Sequence, residues 1–71
     1  MVDTEMLKAV IEERGMFIGA IAKKAGMKHY TLARRINGES EFRASEIEAV
    51  SRVLNLKASE RNAIFFKKDV E

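Results

Sequence analysis

Cysteine and proline are both absent from this chain, and it holds one histidine and four glycines. Without cysteine there is no disulfide framework and no thiolate metal site. A single histidine cannot supply the ligand cluster of a zinc centre, so no metal and no cofactor are expected. The lack of proline and the scarcity of glycine favour helices with short connections. Alternation of apolar and polar residues is nowhere sustained, which disfavours strands. No apolar run approaches the length of a membrane span. The start, Val2-Asp3-Thr4-Glu5, lacks the positive charge and apolar stretch of a secretion signal, so no membrane association and a cytoplasmic location are expected.

Catalytic groups are equally scarce. Glu12-Glu13 and Glu46/Glu48 are carboxylate pairs, but they fall on solvated helix faces. Ser40, Ser45, Ser51 and Ser59 have no placed base, and no glycine-rich loop is present to cradle a phosphate. The chain reads as a non-enzyme with no small-molecule ligand.

What is present is helical patterning and an uneven charge. Seventy-one residues make one small domain with a modest core. The net charge of +2 conceals a gradient. Residues 1–22 carry two cations against four anions, and residues from 44 onward carry five of each. Between Lys23 and Arg43, six cations (Lys23, Lys24, Lys28, Arg34, Arg35, Arg43) face two anions, Glu39 and Glu41. An excess concentrated in this way suits a polyanion-binding face.

That cationic region centres on Gly26–Gly38, GMKHYTLARRING. Gly26 can adopt the left-handed conformation that stops a helix. Lys28 to Asn37 has the length of two to three helical turns, and Asn37-Gly38 tolerates the positive φ that closes it. Leu32 and Ile36, four apart, define its buried side, and Tyr30 and Arg34, also four apart, project roughly opposite. A helix, a tight turn and a second helix of this kind can present a short basic rod to the major groove of DNA.

The remaining segments brace it. Asp3 or Thr4 can cap a first helix whose Met6, Leu7, Val10 and Ile11 share one face, with Gly15 at its end. Met16 to Ala25 forms a second helix with Ile21, Ala22 and Ala25 inward. Phe42 anchors the loop over 39–43. Ser45-x-x-Glu48 fits a capping box for a fourth helix, with a start near Ala44 equally compatible, and Ile47, Val50 and Leu54 follow helical spacing. Asn55 can terminate it. A fifth helix runs from about Ala58 to Phe66, and residues 67–71 form a charged tail expected to fray. The expected architecture is an all-α, compact bundle of about five short helices over a single domain, 1–71.

The stretch resembles the helix-turn-helix of the phage Cro and repressor family, the bacterial XRE-like domains. The matching residues are Ile21-Ala22, Lys24-Ala25-Gly26-Met27, Thr31-Leu32, Arg34 and Asn37-Gly38. Followed by Glu41-Phe42, Glu46-Ile47 and Ile64-Phe65-Phe66, the set looks most like small prophage Cro-like regulators and covers nearly the whole chain. The resemblance implies a lambda-repressor-like DNA-binding domain with its helix-turn-helix at helices 2–3. Two departures stand out. Where the family often opens helix 2 with Ser or Thr followed by Gln, this chain has Phe17-Ile18, which either packs inward or forms an exposed apolar spot. Where the family usually has an apolar residue, this chain has Arg35, which faces either DNA or an acidic neighbour.

Carried onto this sequence, the family's roles make His29, Tyr30 and Arg34 base-contact candidates. A guanidinium can donate two hydrogen bonds to guanine O6 and N7. Lys28, Thr31, Asn37 and Arg43 are phosphate-contact candidates, fixing register and supplying salt-dependent affinity. Ile64, Phe65 and Phe66 are candidates for a two-fold interface. Phe65 and Phe66 point about 100° apart on a helix, so one is expected to seal the monomer and the other to face a partner. The implied function is a sequence-specific regulator that binds a palindromic double-stranded operator as a homodimer and represses a phage or prophage promoter. It would act in the bacterial cytoplasm or nucleoid. A helical interaction module such as an antirepressor or adaptor, or an antitoxin keeping the fold, is the rival reading.

Overall fold

Leucine and isoleucine at helical spacing, punctuated by glycine, dictate the architecture seen in the computed structural model, which describes residues 2–67. Five helices follow in order: α1 Thr4–Glu13, α2 Ile18–Ala25, α3 His29–Ile36, α4 Ala44–Val53 and α5 Ala58–Phe65. No strand occurs among the described residues. The fold is an all-α bundle with a helix-turn-helix at α2–α3. All of the tail expected to fray except Lys67 lies outside the described residues.

The helices meet around one core of Leu7, Val10, Ile11, Ile21, Ala22, Leu32, Ile36, Val50, Leu54, Ile64 and Phe65. Burying a Leu or Ile side chain of this kind contributes about 1.5–3 kcal/mol. α2 packs on both α3 and α4, and α1 packs on α3 and α5. Ala22, nearly inaccessible, lets α2 approach its neighbours closely. The Asp3 N–H donates to the Ile64 carbonyl at 2.7 Å, which ties the entry of α1 to the end of α5. Phe42 anchors the α3–α4 loop by an edge-to-face contact with Phe65, centroids 5.1 Å apart.

Each helix that is followed by another ends in the same way. Gly15, Gly26, Gly38 and Asn55 have positive φ. The N–H after each returns to a carbonyl five residues back: Met16 to Ile11, Met27 to Ala22, Glu39 to Arg34 and Leu56 to Ser51. This left-handed stop satisfies carbonyls that the helix end leaves without partners. After three of the four stops, an apolar residue (Met16, Met27 or Leu56) packs against the core.

The helix starts settle two open alternatives and depart from expectation once. Of the two cap candidates for α1, Asp3 serves, its Oδ1 accepting from the Met6 N–H at 3.0 Å. α2 begins at Ile18 rather than Met16, because Phe17 is extended and serves as N-cap. α4 does start at Ala44, and the Ser45-to-Glu48 box is not used. Glu46, the third residue of the helix, accepts instead from the Arg43 N–H at 2.9 Å.

Candidate nucleic-acid interface

Successive residues of a helix turn by about 100°, so Leu32 and Ile36 on the inner side of α3 place Arg34 almost diametrically outward and Tyr30 beside it. Leu32 is fully inaccessible, whereas Tyr30 is 72% exposed. The two outward side chains touch. The Arg34 guanidinium carbon lies 5.8 Å from the Tyr30 ring centroid, and Arg34 Nη1 donates to the Tyr30 hydroxyl at 3.4 Å. Glu39 Oε1 is a looser partner, 3.9 Å from Arg34 Nη1. The Tyr30 hydroxyl, and to a smaller degree Glu39, raise the affinity of Arg34 for its proton. His29 is exposed on the first turn.

Arg35 resolves differently. Its Nε and Nη2 donate to the two carboxylate oxygens of Glu46 at 2.6 and 3.2 Å, and its Nη1 donates to Ser40 Oγ at 2.7 Å. Its side chain is 13% exposed. Of the two orientations open to Arg35, the acidic neighbour is the one adopted, and its charge is withdrawn from the outer surface. The Arg35 hydrogen bonds are the main reason the Glu46 carboxyl sits below its ordinary pKa; partial burial opposes them and the Arg43 N–H assists. The cationic excess expected over 23–43 is therefore reduced by one, because Glu46, just outside that window, neutralises Arg35.

Three of the four phosphate candidates come together. Lys28, Thr31 and Arg43 line one groove where the starts of α3 and α4 converge, and the Arg35–Glu46 pair lines it with them. Lys28 and Arg43 are the N-caps of those helices and offer no capping side-chain oxygen. The first N–H groups of α3 therefore stay open to an outside acceptor, with the helix dipole favouring an anion there. Asn37 lies at the opposite end of α3, as its C-cap, and is not part of the groove. Ser45, freed from capping by the start at Ala44, lines the groove instead. The signal that could have found it is Glu46: a carboxylate three residues after Arg43 moves the helix start back and frees the serine.

The candidates at the far end separate sharply. Ile64 and Phe65 are buried in the monomer core and have no free surface for a two-fold contact, which corrects Ile64 as an interface residue and makes Phe65 the ring of the pair that seals the monomer. Phe66 is 54% exposed and borders a groove between α4 and α5 lined by Ile47, Ser51, Leu56 and Arg61. At the start of α2, Phe17 is 84% exposed while Ile18 packs partly on the core, so the pair divides between the two arrangements expected for it. Lys23 and Lys24 lie exposed in the last turn of α2, where cations complement the helix dipole.

Among the described residues no helix is long and apolar enough to cross a membrane. Compared with known proteins, residues 7–61 match a family model described as helix-turn-helix. No curated protein and no solved structure matches the chain.

Proposed function

The chain belongs to the helix-turn-helix family of DNA-binding transcription regulators, and on that premise we propose that it is a sequence-specific repressor of the Cro type. In this reading α3 enters the major groove of an operator, with His29, Tyr30 and Arg34 at base edges. Lys28, Thr31, Arg43 and Ser45 hold a phosphate in the groove beside it, and Asn37 meets the backbone at the other end of the helix. The observation that carries the reading is the outward pair Tyr30–Arg34, set opposite the buried Leu32 and Ile36 and flanked by that basic groove.

Two copies would bind a palindrome, their α3 helices one DNA turn apart, roughly 34 Å. Phe66 is the surface candidate for the two-fold contact. Occupying a phage or prophage promoter would exclude polymerase and so repress it, in the bacterial cytoplasm.

Titration with random duplex DNA at two salt concentrations tests the binding. Weak affinity that falls steeply with salt is expected, because each phosphate contact displaces counterions. Selection from a random duplex pool then yields the operator. On it, Arg34→Ala should relax preference at one base position per half-site, at a cost of about 1–3 kcal/mol. Lys28→Ala should weaken all sequences alike and lower the salt slope by about one. Equal, sequence-blind losses from both would refute the assigned roles.

The exposed rings of Phe17 and Phe66 favour a second reading, a helical interaction module of the antirepressor or adaptor type. Absence of DNA binding even at low salt would select it.

A further inference from the structure

The contact between Tyr30 and Arg34 has a specific consequence for how a base would be read. An arginine side chain has many rotamers, and a guanidinium that must meet guanine O6 and N7 together loses much of that freedom on binding. Here the side chain is already supported. Tyr30 lies four residues earlier on the same outward face, its ring centroid 5.8 Å from the guanidinium carbon. Its hydroxyl accepts from Nη1 alone, at 3.4 Å, which leaves Nε and Nη2 free of that bond. The ring has no place in the core: Tyr30 is 72% exposed, so its conformation serves no packing need. Glu39, 3.9 Å from Nη1, pairs with Arg34 through two well-exposed side chains, a weak arrangement that DNA phosphates would easily displace.

We infer that Tyr30 is a positioning residue for Arg34: its ring holds the guanidinium outward, and the two side chains read one base pair as a unit. This rests on the DNA-reading function proposed above and assigns Tyr30 a role within it beyond an independent base contact. The ring face, not the hydroxyl, supplies most of the effect, because a cation over an aromatic face is attracted whether or not the ring carries oxygen. The specificity of the site therefore depends on an aromatic residue at position 30 as well as on an arginine at position 34.

The test uses duplexes selected by the full chain from a random pool, each guanine replaced in turn by 7-deazaguanine, which lacks the N7 acceptor. Wild type should lose affinity at one guanine per half-site, and Arg34→Ala should abolish that sensitivity. Tyr30→Ala should reduce sensitivity at that same guanine by about threefold, as expected for an exposed cation–aromatic contact. Tyr30→Phe should restore most of it. Melting temperatures of the variants should stay near wild type, since both side chains are outside the core. The inference is overturned if Tyr30→Ala leaves the sensitivity intact, or if the two alanine variants act at different bases. Failure to enrich any duplex would remove the proposed function itself, a result separable from both.

Discussion

The turn between α2 and α3 and the turn between α4 and α5 are the same backbone device with opposite chemistry at the helix that follows. Gly26 (φ 72°) and Asn55 (φ 54°) stop the first helix. Met27 and Leu56 then return an N–H to Ala22 and Ser51, at 2.8 and 2.9 Å. Lys28 and Lys57 are extended N-caps, and eight helical residues follow in each case. At α5 the helix start is already satisfied: Glu60 accepts from the Lys57 N–H at 2.8 Å and is held again by Arg14 at 3.2 Å. At α3 no acidic residue occupies the first turn. One helix start carries its own anion and the other is open to a foreign one. Turn geometry alone therefore does not nominate the DNA-facing helix; the occupancy of its first turn and its outward side chains do.

The largest effect should come from the shared scaffold. Leu32→Ala and Ile64→Ala each empty a fully buried site and should each cost about 2–5 kcal/mol in denaturant unfolding. A much smaller loss at one of them would break the equivalence of the two units. Next is the flank of α3. Glu46→Gln, by weakening the Arg35 link, should cost about 1–3 kcal/mol near neutral pH. The sign with pH follows from the lowered Glu46 pKa: the native state binds fewer protons than the unfolded chain. The contribution is present above the ordinary carboxyl range and is lost as pH falls through the lowered folded value. Acid unfolding curves of Glu46→Gln should be flatter over that interval.

Smaller again, Gly26→Ala should cost roughly 1 kcal/mol through left-handed strain alone, since an added Cβ would meet nothing within 4 Å. Asn55→Ala should cost less, because asparagine already bears part of that strain. The least effect sharpens the comparison most. Lys57→Ala should leave DNA affinity and its salt slope unchanged, whereas the matching change at Lys28 lowers the slope; a fall in both would mean that α5 also meets DNA.

Much of this was legible in the residues. Gly15, Gly26 and Asn55 marked the helix ends, and the spacing of Leu32 with Ile36 placed Tyr30 and Arg34 outward. What stayed hidden depends on partners distant in sequence. Arg35 turns toward Glu46, eleven positions on, and spacing within α3 cannot reveal that. The start of α4 was ambiguous because Ala44 and Ser45 fitted equally well; in the structure Glu46 both caps the start at Ala44 through the Arg43 N–H and holds Arg35. Which of Phe65 and Phe66 goes inward is decided by the Phe42 ring, which belongs to a loop.

The four repeated helix stops also bear on how quickly the molecule assembles. Each closes through a bond spanning five residues, so much of the topology is encoded over short separations along the chain. Chains rich in such local contacts cross their barrier in microseconds to milliseconds. With no proline anywhere, there is no isomerisation step lasting tens of seconds to delay them. Refolding of the monomer should therefore run as a single fast phase, leaving any pairing of two copies as the slower, concentration-dependent step.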